Sequence, residues 1–391
     1  MFKLAILAAL CITLTGNKVE ENIVWKSRLG VGTSRLVSEG KSLYTLYSNT
    51  DPKTPNQGEE VVVALNITNG KPRWEYRYPV QRLPKQESYD EARIRPQGSP
   101  ALLKGRLCTL GYTGLLKCFD TENGKRLWEY DLVKEFGATP VQFGFSSSPI
   151  AYKGAFVVHV GGKQSSLIAF QAETGAVLWK AQPNEPSYAT PVLFRVGEEE
   201  QIVQMTRDAI FGFSAQDGRT RWVYTLPKVG LTNVPTPIAL PKGRLLISGQ
   251  GVLGTRLLQV EPSAEQCRVT EVWHNRRTTF FYCNWVTDSR SVFGCIEDYL
   301  YGLDIETGKE LFRERGQTNG NIIALKEQEA VVIRRDGLLT RCQLSSAGIK
   351  AKGSLQALSG MCWTPPLQVG ETIFIRDDEA VVAIKLSALA K

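Results

Sequence analysis

The stretch AFQAETGAVLW, from Ala169 to Trp179, closes one strand with an apolar pair, passes through a small polar turn carrying glycine, and opens a second strand that contains tryptophan. The same order of residues returns as ALNITNGKPRW (Ala64 to Trp74), CFDTENGKRLW (Cys118 to Trp128), GFSAQDGRTRW (Gly212 to Trp222) and GLDIETGKELF (Gly302 to Phe312). Five near-copies define a repeat protein. With the aromatic as marker, Trp25, Trp74, Trp128, Trp179, Trp222, Trp273 and Phe312 follow one another at intervals of 39 to 54 residues, a mean of about 48, within the range of propeller repeats. No unit shows the three-and-four apolar spacing of a helical repeat. Each breaks into short Val, Ile, Leu, Phe and Tyr runs separated by Gly, Asn and Asp, the pattern of antiparallel strands and tight turns.

One unit resolves strand by strand. Ser148 to Tyr152, Ala155 to Val160, Ser166 to Phe170 and Ala176 to Lys180 place four strands in about thirty residues, one propeller blade. The first strand often opens with Ser or Thr and a proline, as at Pro100, Pro149, Pro191, Pro237 and Pro366, where proline gives up a ladder donor only at the strand's start. The turn glycine supplies a positive φ, and the aromatic is expected to pack between neighbouring blades. Two units depart from the pattern: Val252 to Trp273 carries an insertion, Glu261 to Cys267, and the unit after Phe312 lacks its aromatic. The last strands, Pro366 to Val369, Thr372 to Arg376 and Ala380 to Leu386, have no outer partner, whereas Glu21 to Leu29, with Trp25, is a spare outer strand. The expected fold is therefore all-β, a single eight-bladed propeller of four-stranded antiparallel blades closed by the N-terminal strand; seven blades is the alternative count.

The first sixteen residues, MFKLAILAALCITLTG, read as a short secretory signal. The expected organisation is thus a signal at 1–16 and one propeller over 17–391, exported to the periplasm or outside the cell. A lipid anchor at Cys11 is disfavoured because Leu10, not a small residue, precedes it. Eight cysteines suit an oxidising compartment but not a disulfide scaffold, since the core is large. Cys283 and Cys295 are symmetric about Ser289, and Cys108 and Cys118 about Thr113; either pair is a disulfide candidate, with buried free thiols the alternative. His159 and His274 are the only histidines, and no metal-type Cys/His spacing occurs, which disfavours zinc chemistry and histidine catalysis. The net charge of +8 is scattered over all blades rather than gathered into a basic tract. Nucleic acid is not an expected partner, and no transmembrane span is expected in a chain that reads as a monomer.

The pattern A-x-[DNQ]-x-x-[TD]-G-x-x-x-W, loosely kept across the copies, resembles the outer-strand signature of the pyrroloquinoline-quinone-type β-propeller repeat. That superfamily includes quinoprotein alcohol dehydrogenases, barrel-assembly propeller lipoproteins and exported bacterial proteins with no assigned reaction. Phe143 to Phe194 looks especially similar to the last group. The motifs build blades, so they speak to fold and not to chemistry. The dehydrogenase resemblance would imply a quinone and calcium held over a tryptophan floor, with Glu, Asn and Asp ligands and an Asp base. Trp285 or Trp363 could supply the floor and Asp208, Asp298, Asp336 or Asp377 the acids. These acids stand in turn sequences where Asp is a good turn residue, and the adjacent cysteine pair of many such enzymes is missing.

Loops from an outer strand to the next inner strand, and loops joining second and third strands, share one face of a propeller. The two longest, 48–60 and 78–100, both belong to the first two blades and are expected to form a binding rim. Ligand candidates at the mouth are Arg93, Arg95, Gln97, Phe145, Tyr188, Asn284, Trp285 and Trp363, with Tyr89, Phe143, Asn233, Asn319 and Asn321 beside them. Two function classes follow. The first is a non-catalytic binding or scaffold protein of the cell envelope with a protein or glycan partner and no cofactor. The second is a dehydrogenase dependent on pyrroloquinoline quinone (PQQ) with Ca2+ that oxidises an alcohol or sugar.

Overall fold

The computed structural model describes residues 22–390 except 52, 85–93, 228–233, 281–282, 317–319 and 327; residues 1–16, Cys11, Tyr89, Arg93, Asn233 and Asn319 lie outside that set. Eight four-stranded antiparallel sheets follow one another along the chain as the blades of a propeller. Blades 1 to 7 run from Val37 to Gln81, Ala101 to Asp131, Ile150 to Lys180, Val192 to Thr225, Ile238 to Asn275, Trp285 to Arg315 and Asn321 to Gln356. Blade 8 takes Leu367–Val369, Thr372–Arg376 and Ala380–Lys385 from the end of the chain and its outer strand, Ile23–Arg28, from the beginning. The eight-blade count and the closing strand stand as expected, and the seven-blade alternative falls. The first strand of each blade is innermost, and the first strands of blades 1 and 2, 2 and 3, 4 and 5, and 6 and 7 touch.

The repeated glycine turn is built the same way wherever it occurs. The residue ending the third strand accepts from the glycine four residues further on: Gly70 N–H to Asn66 O is 2.8 Å, Gly124 to Asp120 3.0 Å, Gly175 to Gln171 2.8 Å, Gly218 to Ser214 2.9 Å and Gly308 to Asp304 2.8 Å. Each of these glycines has φ between +68° and +77°, the left-handed region that other residues avoid. The side chain of Asn66, Asp120 or Asp304 also accepts an N–H two residues on, an Asx turn that fixes the bend.

The aromatic of a repeat does not meet the glycine of its own turn. Trp25 of blade 8 lies on Gly70 of blade 1, Trp74 on Gly124 of blade 2, Trp128 on Gly175 of blade 3, Trp179 on Gly218 of blade 4, and Trp273 of blade 5 on Gly308 of blade 6. Four of the indoles donate Nε1–H to the next blade at 3.0 Å, to the carbonyls of Ile67, Thr121, Ala172 and Ile305. Burial of such a ring contributes on the order of 3 kcal/mol before entropy is charged, and only glycine leaves room for it.

Three seams lack this device, and each has a substitute. Trp222 faces blade 5, whose turn is the insertion; its Nε1 turns back to Gln201 Oε1 at 2.7 Å. Arg221 holds the insertion instead, donating to the carbonyls of Ser263 (2.8 Å), Ala264 (3.3 Å) and Glu265 (2.7 Å). Phe312 faces blade 7, whose turn ends at Gly348, and there Glu314 accepts the Ile349 N–H at 2.8 Å. Blade 8 has no third-to-fourth turn at all, because two chain ends meet in it. Gly353 of blade 7 occupies the register position that the aromatic takes elsewhere, and the 3-10 turn Leu386–Leu389 packs onto it through the Leu389 carbonyl.

The closing seam has one more fastening on the channel side. Arg376 of blade 8, fully buried, donates to Ser34 O (3.0 Å), Thr45 Oγ1 (2.6 Å) and Leu46 O (2.7 Å) of blade 1. Burial pulls its guanidinium down to about 9 despite Asp377 and Asp378 nearby, and these acceptors keep the ion from being an uncompensated charge.

Candidate functional site

The two segments read as long loops are shorter than expected. The strands Ser42–Asn49 and Gln57–Asn66 leave only 50–56 between them, and Pro72–Gln81 continues the ladder so that Gln57 pairs with Gln81 and Glu59 with Pro79. The β-rich run EEVVVALN carries pairing beyond the end of the other blades, and the result is an overhanging hairpin on blade 1. Its tip encloses a shallow depression of about 490 Å3 lined by Asn49, Asp51, Thr54, Gln57, Gly58, Glu59, Pro79, Val80 and Gln81. Residues of 48–60 and residues 79–81 at the start of the second segment thus line one concave surface on the hairpin, while residues 85–93 lie outside the described set.

At the root of this hairpin sits a buried carboxylate. Glu60 accepts the Tyr78 hydroxyl at 2.7 Å and the Tyr112 N–H of blade 2 at 2.6 Å. Burial raises its carboxyl above the ordinary range, opposed by these two hydrogen bonds and by Lys117. Lys117, itself buried, lies 4.4 Å from the Tyr78 ring centre and pairs with Glu129 at 2.6 Å. The cluster fixes the overhang to blade 2.

The candidate residues at the mouth do not converge on one pocket. Gln97 donates to the Phe143 carbonyl at 2.8 Å, the Phe143 N–H donates to the Tyr188 hydroxyl at 3.1 Å, and the two rings lie 6.3 Å apart. Phe145 is buried beneath Gly114, its N–H bonded to the Tyr112 carbonyl. Asn284 makes a double bridge to blade 7, to Asn321 Oδ1 and both backbone groups of Ile322. Trp285 donates to Thr236 O at 3.0 Å and packs on Phe280. Trp363 lies under the Arg335 guanidinium at 4.3 Å, and Arg95 pairs with Asp378 at 3.6 Å. Each named contact joins neighbouring elements of the ring.

Sequence reading missed what the recurrent Ser or Thr before proline does. Ser99 N–H donates to Ser148 Oγ of blade 3 (2.9 Å), Ser148 N–H to Thr190 Oγ1 of blade 4 (3.1 Å), and Thr190 N–H to Thr236 Oγ1 of blade 5 (3.2 Å). Asn284 N–H to Asn321 Oδ1 and Thr364 Oγ1 to Thr33 O extend this belt around the mouth. A hydroxyl recurring at one position of four successive units, Ser99, Ser148, Thr190 and Thr236, was the available signal.

The cysteine pairs need a correction. Cys108 and Cys118 are cross-strand partners as their symmetry suggested, yet all seven described cysteines are free. The thiol of Cys118 points at the Ala172 carbonyl, and that of Cys283 at the Cys295 carbonyl. The Cys118 thiol thus aims across the seam with blade 3, and that of Cys283 at the backbone of Cys295 and not at its sulfur. Burial pushes the thiols of Cys118, Cys283 and Cys342 up to about 12, far from the range of a reactive thiolate.

A quinone held with calcium needs a tryptophan and acids facing a common space. Here Trp285 and Trp363 are engaged as above, and the acids belong to separate turns: Asp208 with Arg207, Asp298 with Arg315, Asp336 with Arg334, and Asp377 with the N–H groups of Gly360, Glu379 and Ala380. Among the described residues no three His, Cys, Asp or Glu side chains gather around one point. The residues present do not fit the group.

Residues 22–146 and 113–279 match the PQQ-type family described as outer membrane protein assembly factor BamB, so that the matches reach from 22 to 279 of the 391 residues. The chain belongs to this family. The BamB of Burkholderia pseudomallei is 33% identical over 120 residues, 30% of this chain and 27% of that protein; the BamB of Yersinia pestis is 22% identical over 242 residues, 58% of this chain and 61% of that protein. The chain thus aligns with less than two thirds of either relative's length. BamB from Moraxella catarrhalis superposes with a TM-score of 0.59 at 14% identity, covering 93% of this chain and 97% of that one. A europium-containing methanol dehydrogenase gives 0.57 at 13% identity, covering 95% and 86%. At these identities the BamB and dehydrogenase structures share the fold with this chain and say nothing of its chemistry.

Proposed function

We propose that the protein is a non-catalytic binding or scaffold propeller of the cell envelope that takes a protein partner on the rim formed by the blade 1 overhang. The observation that carries this reading is the overhanging hairpin: two ten-residue strands, braced by Glu60, Tyr78 and Lys117, hold an open depression away from the ring. An open, shallow concavity suits a protein surface better than a small molecule, which asks for an enclosed site. Membership of the BamB family supports an envelope setting, and the engagement of the candidate acids in separate turns and of Trp285 and Trp363 with neighbouring elements counts against a quinone enzyme.

The test compares wild type with Thr54→Arg and Gln81→Arg together, two changes on the exposed lining of the depression. Wild type is expected to retain a defined envelope protein from a detergent extract and the double variant to lose it at unchanged thermal stability. In parallel, quinone and calcium are added to the purified protein. Stoichiometric quinone absorbance with dye-linked alcohol oxidation would overturn the proposal.

A further inference from the structure

The connection from blade 7 to blade 8 is pinned through three successive N–H groups. Gly360 donates to Asp377 Oδ2 at 3.2 Å, Met361 to Asp378 Oδ1 at 2.9 Å and Cys362 to the Arg335 carbonyl at 2.9 Å. Held in this way, Met361 and Trp363 meet the Arg335 side chain, which comes from the second-to-third-strand turn of blade 7. The guanidinium lies 4.3 Å from the Trp363 ring centre and donates to the Met361 sulfur at 3.3 Å. A guanidinium laid on an aromatic face keeps its planar fork of donors available along its edge.

Three described arginines stack on aromatic rings, and two of them hold an acid as well. Arg126, over Tyr76, pairs with Glu129 at 2.6 Å, and Arg313, over Tyr299, reaches Glu310 at 4.0 Å. Arg335 has no carboxylate within 4 Å among the described residues. Its one side-chain acceptor is a thioether, which accepts weakly, and its remaining nitrogens are open to solvent. Arg35 is a second such cation on the same seam. It stands two residues beyond the Thr33 carbonyl that accepts Thr364 Oγ1 at 3.3 Å, exposed and without an ion pair among the described residues.

We propose that Arg335, presented on Trp363, is a carboxylate-binding site at the mouth over the closing seam, taking an acidic side chain or the C-terminal carboxylate of a peptide segment. The fork matches an acceptor with two oxygens in one plane. The acids around it select for a single charge: Asp336, Asp377 and Asp378 all stand close enough to raise the neighbouring Cys362 thiol. Arg334 answers Asp336 at 2.5 Å, Arg95 lies 3.6 Å from Asp378, and Asp377 accepts three backbone N–H groups. A phosphate dianion meets twice the repulsion from these acids that a carboxylate meets. The site is separate from the blade 1 rim, and each stands without the other.

The experiment titrates the full protein with peptides and follows the indole N–H resonance of Trp363, assigned through Trp363→Phe. One peptide is acetyl-Gly-Ser-Glu-Ser-Gly-amide, the second has Gln for Glu with a free C-terminal carboxylate, and the third has Gln with both ends blocked. The first, the second or both are expected to shift the resonance at millimolar concentration, which identifies the source of the carboxylate, while the third leaves it in place. Arg335→Gln is expected to weaken binding about tenfold, the loss of a hydrogen bond to a charged group, and Arg335→Lys, which keeps the charge without the fork, to recover only part of it. No shift with either carboxylate, an equal shift with the blocked Gln peptide, tighter binding of a phosphoserine counterpart, or unchanged affinity in Arg335→Gln at an unchanged melting temperature would each overturn the proposal. The rim variant carrying Thr54→Arg and Gln81→Arg is expected to bind these peptides as wild type does, so that failure at one site is told from failure at the other.

Discussion

Trp74 lies flat against Gly124 of the following blade, its Nε1–H donating to the Thr121 carbonyl at 3.0 Å. A methyl group on Gly124 would stand 2.6 Å from that ring, and the residue's φ is +71°. Gly124→Ala is expected to cost about 3 kcal/mol, from left-handed backbone strain and the displaced indole together. Gly154→Ala is the control: its φ is +85° but nothing lies within 4 Å, so about 1 kcal/mol is expected. Equal losses in denaturant unfolding would show that the ring contact contributes nothing.

Arg221 takes three carbonyls of the blade 5 insertion. Arg221→Met keeps much of the apolar stem and strips the donors, which should loosen Ser263 to Glu265 at a cost of about 2 kcal/mol. The reading is local: amide exchange and protease cleavage should rise at 261–267, with blades 1 and 2 unaffected. Uniform loosening of the ring would contradict the staple.

Burial holds the imidazole of His159 down to about 3 against an ordinary 6.5. Between those values the unfolded chain takes up a proton that the folded chain refuses. Its contribution is therefore whole above about pH 6.5 and is lost as pH falls toward 3, with a slope of up to about 1.4 kcal/mol per pH unit. His159→Leu should flatten the urea stability profile between pH 6.5 and 4 relative to wild type. Parallel profiles would refute the assignment.

All seven described thiols are buried. In the protein lacking residues 1–16, a disulfide-exchange dye should label none in the native state within the time that labels all of them in denaturant. Fast native labelling, or fewer than seven thiols after unfolding, would overturn this, the second by revealing a bridge.

The blade count and ring closure were legible in the chain because the glycine turn and the aromatic recur with a fixed order and a countable interval. Even the two irregular units flagged by sequence, the 261–267 insertion and the one after Phe312, mark seams where the staple changes hands. What sequence could not disclose is which copy each part serves: Trp74 and Gly70 stand four residues apart, yet their partners are Gly124 and Trp25. The candidate site was less legible for the same reason. Gln97, Asn284 and Trp285 look like ligand groups in a linear reading, whereas in the ring their atoms are taken by neighbouring blades.

The strand Ile23–Arg28 pairs antiparallel with Ala380–Lys385, and Ile23 lies opposite Ile384. The two ends of the chain thus leave the pair from the same end. Tension applied between them would unzip this ladder one bond pair at a time instead of loading all its bonds in shear. The strand pair that completes the ring is also its mechanical fuse: a pull on the two ends opens the circle at blade 8 first, and seven whole blades become an arc that ends in a three-stranded blade 8.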